Sequence, residues 1–96
     1  MRVRDLAAAE SDLDDALSYY ADIDRGLAEA LLREVVSAKN GIARFPDAWR
    51  QLGGGLRSYA LHRFPYSIVY RAGHDEILIV AYAHFKRRPG YWKNRG

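Results

Sequence analysis

The residues best suited to chemistry gather at the end of the chain. His84 is followed by Lys86-Arg87-Arg88 and, past Pro89-Gly90, by Tyr91-Trp92. A histidine titrates near neutrality and can take or give a proton there. Its plain structural alternative is a core histidine donating to a backbone carbonyl. Three consecutive cations form an electrostatic footprint for a polyanion or an acidic protein, or simply a solvated chain end. Tyrosine and tryptophan beside such cations can stack nucleobases, anchor a protein partner, or tuck back on Trp49 and the sheet.

Other chemistries are poorly supported. His62, His74 and His84 have no metal-ligand spacing, so no metal and no cofactor is expected. Gly53-Gly54-Gly55 follows no strand and precedes no Lys-Ser or Lys-Thr pair, which rejects a phosphate-binding P-loop. No nucleophile motif supports a Ser-His-Asp triad. The chain has no cysteine, hence no disulfide or thiolate chemistry.

Ninety-six residues suit one domain, spanning 1–96. Such a chain buries only about 60–65% of its unfolded surface, so a permanent partner would add stability by mass action. No stretch approaches the ~20 apolar residues of a membrane span, and no signal-peptide pattern opens the sequence. A cytoplasmic protein without a membrane partner is the expectation. Charge is divided along the chain. Residues 1–47 hold six basic and ten acidic side chains, net −4, whereas residues 48–96 hold nine and two, net +7. That division implies a polarised surface.

The elements that must position the C-terminal residues are legible from periodicity. Residues 3–6 alternate as a short strand. Ala9, Leu13, Ala16, Leu17 and Tyr20 then recur at helical spacing, with acids concentrated toward the positive end of the helix dipole. Asp22 or Asp24 caps a second helix, whose stripe is Leu27, Leu31, Val35, Ala38, Ile42 and Phe45. Pro46 ends it. So short a break predicts a helical hairpin. Residues 47–55 read as a loop. Three strands follow at about 57–63, 66–71 and 76–83, with a hairpin turn at Ala72-Gly73-His74-Asp75. The last strand is apolar at both parities, which places it inside the sheet. The fold class is α+β, in the order β-α-α-β-β-β, an antiparallel sheet packed on the helical hairpin.

This order, the segment Phe64-Pro65-Tyr66-Ser67-Ile68-Val69-Tyr70-Arg71, and the ending His84, Arg87-Arg88-Pro89-Gly90-Tyr91-Trp92 resemble the RelE/ParE superfamily of type II toxin–antitoxin toxins. The resemblance covers nearly the whole chain. It implies a growth-inhibiting toxin, of the plasmid-stabilisation kind, bound by a cognate antitoxin in a hetero-oligomer. The antitoxin would carry an acidic, poorly structured half that orders on binding. The basic half of this chain would be its landing surface. The target differs within the superfamily: ParE-like members inhibit DNA gyrase by binding, and RelE-like members cleave mRNA on the ribosome.

Metal-free RNA cleavage requires deprotonation of a 2′-hydroxyl, stabilisation of phosphorane charge and protonation of the leaving oxygen. The resemblance assigns these tasks to Arg57, Arg63, Arg71 and His84, with Tyr91 as a proton donor if the tail folds back. Arg63 and Arg71 have an alternative role protecting strand ends from unwanted pairing. Position 85 is phenylalanine where the nuclease pattern often has tyrosine, and phenylalanine has no proton to give. This tilts the expectation toward a ParE-like binder, with Lys86, Arg87, Arg88, Tyr91 and Trp92 meeting the target or antitoxin. A non-toxic interaction module is the third reading.

Overall fold

The computed structural model describes residues 1–95. Its elements are β1 (Arg2–Asp5), α1 (Ala7–Ile23), α2 (Arg25–Arg44), β2 (Arg50–Gly53), β3 (Leu56–Ala60), β4 (Tyr66–Ala72) and β5 (Glu76–His84). Asp24 both ends α1 and starts α2. Its amide donates to Tyr20 O at 2.8 Å, and its carboxylate accepts from the Gly26 amide at 2.7 Å. Leu31, Val35, Ala38 and Ile42 are buried as their spacing predicts. Phe45 is not: α2 stops at Arg44, and Phe45 leaves the helical path as its C-cap, 58% exposed.

The five strands lie in the order β1-β5-β4-β3-β2. Two features depart from expectation. Residues 50–53, read as loop, form an edge strand paired with β3. Every residue of that strand is exposed, so it carries no alternating pattern. The pairing comes from a reversal in which Gly53, Gly54 and Gly55 all hold positive φ, a conformation glycine adopts without steric cost. The sheet is also mixed: β1 runs parallel to β5, and the other pairs are antiparallel. Leu6 alone joins β1 to α1, and the chain does not double back there. Asp5 pairs with Ile79, while Asp12 on α1 already meets the Tyr82 amide, further along β5. The remaining reversals are even in number, so β5 returns parallel to β1.

As its composition predicts, β5 has a strand on each side. It pairs with β4 through Val69–Ala81 and then Tyr70–Ile79, leaving Val80 as a bulge. The bulge lets Ile77, Ile79 and Tyr82 all join the core beneath the helices. Val80, Ala81 and Ala83 join Val69 in a second cluster on the opposite face.

Candidate functional site: the open sheet face and the C-terminal segment

The face away from the helices carries Leu56 and Ser58 from β3, Ser67, Val69 and Arg71 from β4, and Ala83 from β5. The C-terminal segment folds across part of it. After β5 the chain turns, with Phe85 N donating to Pro65 O at 2.9 Å and Arg87 N to His84 O at 3.0 Å. Gly90 holds φ +79°, and Lys93 N closes back on Gly90 O at 3.0 Å. This path lays Tyr91 and Trp92 against the Val69, Val80, Ala81 and Ala83 cluster. Their rings meet edge to face at 5.2 Å. The two aromatics therefore do tuck back on the sheet, but not on Trp49. Trp49 lies with the helix-side core, its ring 4.6 Å from that of Tyr59.

Between the tail and the β2–β3–β4 surface is an open groove of about 760 Å³. Leu56, Val69 and Trp92 supply apolar lining; Arg50, Arg71, Arg87 and Lys93 supply cations, and among the described residues no carboxylate side chain lines it. Such a surface attracts an acidic, partly apolar segment.

The candidate nuclease residues are not gathered at one point. Arg57 pairs across the sheet with Tyr70, on the helix side. Its guanidinium donates to Trp49 O at 2.8 Å and stands 3.9 Å from Asp47. Arg71 pairs with Leu56 on the open face and donates to Gly54 O at 2.7 Å, holding the glycine turn. Arg63 is exposed in the β3–β4 turn, with its guanidinium carbon 5.5 Å from the Phe64 ring centroid. Its amide and that of His62 donate to Glu34 on α2. His84, at the end of β5, borders the groove but sets its ring on the helix side, edge-on to Tyr66 at 5.0 Å and beside Asp15 and Tyr20 of α1. Its Nδ1 accepts from Lys86 N at 3.0 Å, which assigns the ring proton to Nε2. It thus accepts from the backbone and does not donate to a carbonyl.

Tyr91 lies between two guanidinium groups, Arg87 at 4.0 Å and Arg95 at 5.0 Å from its ring centroid. Burial, followed by the nearby Asp12 carboxylate, raises its phenol above the ordinary tyrosine value, so it stays protonated at neutral pH. Lys86 and Arg88 are exposed, as is Phe85.

Two residues that the sequence did not single out for the site organise this region. Arg95 donates to both Asp12 carboxylate oxygens, at 2.7 and 3.2 Å, and to Val80 O at 3.1 Å. Asp12 also accepts from Tyr82 N at 3.1 Å and from the Tyr91 hydroxyl at 3.4 Å. The pair thereby satisfies β5 backbone groups beyond the end of β1. Arg95 raises no local pattern in the sequence, and Asp12 is one of several acids on α1.

Among the described residues, no group of three or more His, Cys, Asp or Glu side chains could hold a metal ion. Nor is any helix long and apolar enough to cross a membrane.

No curated protein matches the chain. A solved structure described as the chromosomal ParDE TA system from P. aeruginosa is similar in fold, with a TM-score of 0.77 at 23% identity; the match covers 88% of this chain and 95% of that one. A family model described as the ParE toxin of the type II toxin–antitoxin system parDE matches residues 4–89. The helical hairpin on a five-stranded sheet and the reach of that match lead to one statement of kinship: this chain belongs to the ParE toxin family of type II toxin–antitoxin systems.

Proposed function

We propose that the chain is a toxin neutralised by a cognate antitoxin in a hetero-oligomer. It acts in the cytoplasm by binding and inhibiting DNA gyrase, not by cutting RNA. Family membership supports the toxin role. The observation carrying the preference for binding is the separation of Arg57 and Arg71. They lie on opposite sheet faces, and each guanidinium is engaged with a backbone carbonyl. A phosphorane needs its cations converged on one point. The groove's cations, Arg87 among them, and its apolar lining suit the antitoxin's acidic segment, and the exposed Lys86 and Arg88 flank Arg87 in the chain.

A supercoiling assay with purified chain and gyrase tests this reading. Inhibition that disappears on adding the product of the neighbouring antitoxin gene is expected. Normal supercoiling at excess toxin removes the gyrase target.

One observation favours the RelE-like alternative: Arg71 and Arg87 line the same groove, and His84 stands at its border. Primer extension on translated mRNA decides it. Cuts in the ribosomal A site that vanish in Arg71→Ala, His84→Ala would establish a nuclease. Unimpaired growth on induction without antitoxin would leave the non-toxic interaction module.

A further inference from the structure

The groove has one wall that is not part of the sheet. Gly90, Trp92 and Lys93 line it from the C-terminal segment, and that segment is tied down at its far end by Arg95. The tie is well built. Both Asp12 oxygens are used, and the two side chains are only 11% and 21% exposed, so salt screens the pair weakly. Two-point guanidinium–carboxylate contact also fixes orientation as well as distance. Tyr91 adds its hydroxyl to the same carboxylate and is flanked by Arg87 and Arg95. Residues 90–95 lie past the segment that the family model matches. The feature therefore rests on this chain's own contacts.

We propose that Asp12 and Arg95 form a latch that holds the C-terminal segment as a fixed wall of the open-face groove, and that an acidic partner segment is captured only while the latch is closed. Asp12 is then a positioning residue, acting through the tail and not by touching the partner. The occupant is assigned by charge: among the described residues, four cationic side chains line the groove and no carboxylate side chain does. With the tail released, Trp92 leaves the Val69 and Ala83 surface, and the groove loses one side together with Lys93. The identity of the partner as an antitoxin rests on the function proposed above; the latch itself does not.

The test uses the full chain and its Arg95→Ala, Arg95→Lys and Asp12→Asn variants. Hydrogen–deuterium exchange is followed in residues 87–95 and, as a control for folding, in α2 and β5. In Arg95→Ala the tail amides should exchange about tenfold faster or more, with the core amides unchanged. Arg95→Lys should restore part of the protection, since it keeps the charge but loses two-point contact. Affinity for the antitoxin encoded beside the gene should fall about tenfold in Arg95→Ala and Asp12→Asn, through faster dissociation. Unchanged tail exchange overturns the latch. Accelerated exchange with unchanged or tighter antitoxin binding overturns the wall, because the tail would then be irrelevant or a lid. If the unaltered chain binds no antitoxin, the partner reading fails, and exchange alone still decides the latch.

Discussion

The two faces of the sheet are finished to different degrees. On one side, Ile68, Tyr70, Ile77, Ile79 and Tyr82 are sealed beneath two helices whose own stripe meets them. Two tyrosine hydroxyls on that side are bonded: that of Tyr70 donates to Pro46 O at 2.6 Å, and that of Tyr82 to Asp5 at 2.7 Å; the buried Trp49 indole N–H is left without a partner among the described residues. On the other side, Val69, Val80, Ala81 and Ala83 have no helix over them and are covered in part by Tyr91 and Trp92. Where the cover stops, a basic groove opens. The first face accounts for why the domain folds. The second is shaped like a surface left for another chain, which suits a small protein whose stability gains from a partner.

That contrast can be broken by mutation. The largest loss is expected from Ile79→Ala, about 3 kcal/mol by chemical denaturation, because it opens a cavity in the sealed core. Trp92→Ala should cost about 1–2 kcal/mol, since Trp92 is only partly buried. An equal cost for the two would mean that the open face is a second core and not a docking surface.

The arginines sharpen the comparison at a finer level. Arg57→Ala should lower stability by about 1–2 kcal/mol through the lost Trp49 carbonyl bond. Arg71→Ala should cost less than about 1 kcal/mol, because the Gly54 carbonyl it leaves behind is exposed and can bond water, yet it should weaken capture of an acidic partner. Thermal melts paired with binding titrations separate the two effects. A stable but binding-deficient Arg57→Ala variant would reverse the assignment of faces.

The smallest effect lies at the β1 edge. Glu76 accepts from Arg2 at 2.6 Å and from Arg4 at 3.2 Å, and the Arg2 bond leads in holding its carboxyl below the ordinary glutamate value. A lowered folded-state value means that its stabilising contribution is present above the ordinary glutamate pKa. It disappears as pH falls through the lower, folded-state value. In a stability–pH curve, Glu76→Gln should lower the neutral plateau slightly and converge on the unaltered chain at acid pH, which leaves a flatter acid limb. An unaltered acid limb would show that the pair is fully screened by solvent.

How much of this was legible depended on how local the determinant was. The α2 stripe and the β5 composition act within a few residues, and both predicted burial and placement well. The strand at Arg50–Gly53 escaped because it is exposed throughout and its pairing is enforced from outside, by the glycine turn and Arg71. The parallel run of β1 hinged on Leu6, where nothing in composition says that the chain continues forward. The Asp12–Arg95 pair joins residues at opposite ends of the chain, and each alone looks like an ordinary surface charge. For the site, the tail was legible as basic and aromatic, but the separation of Arg57 from Arg71 required the pairing register.

The extra residue in β5 has a consequence for how the chain tolerates change. Val80 acts as a phase shifter: it lets one nine-residue strand serve the buried layer twice, first through Ile77 and Ile79 and again through Tyr82. Drawing that valine into the ladder as an ordinary paired residue would behave like a frameshift in three dimensions: everything from Ala81 onward would exchange sides, turning Tyr82 and His84 away from the layer they share with Tyr66. Deleting it would instead close the bulge in register, with Ala81 still opposite Val69 and Tyr82 still in the buried layer.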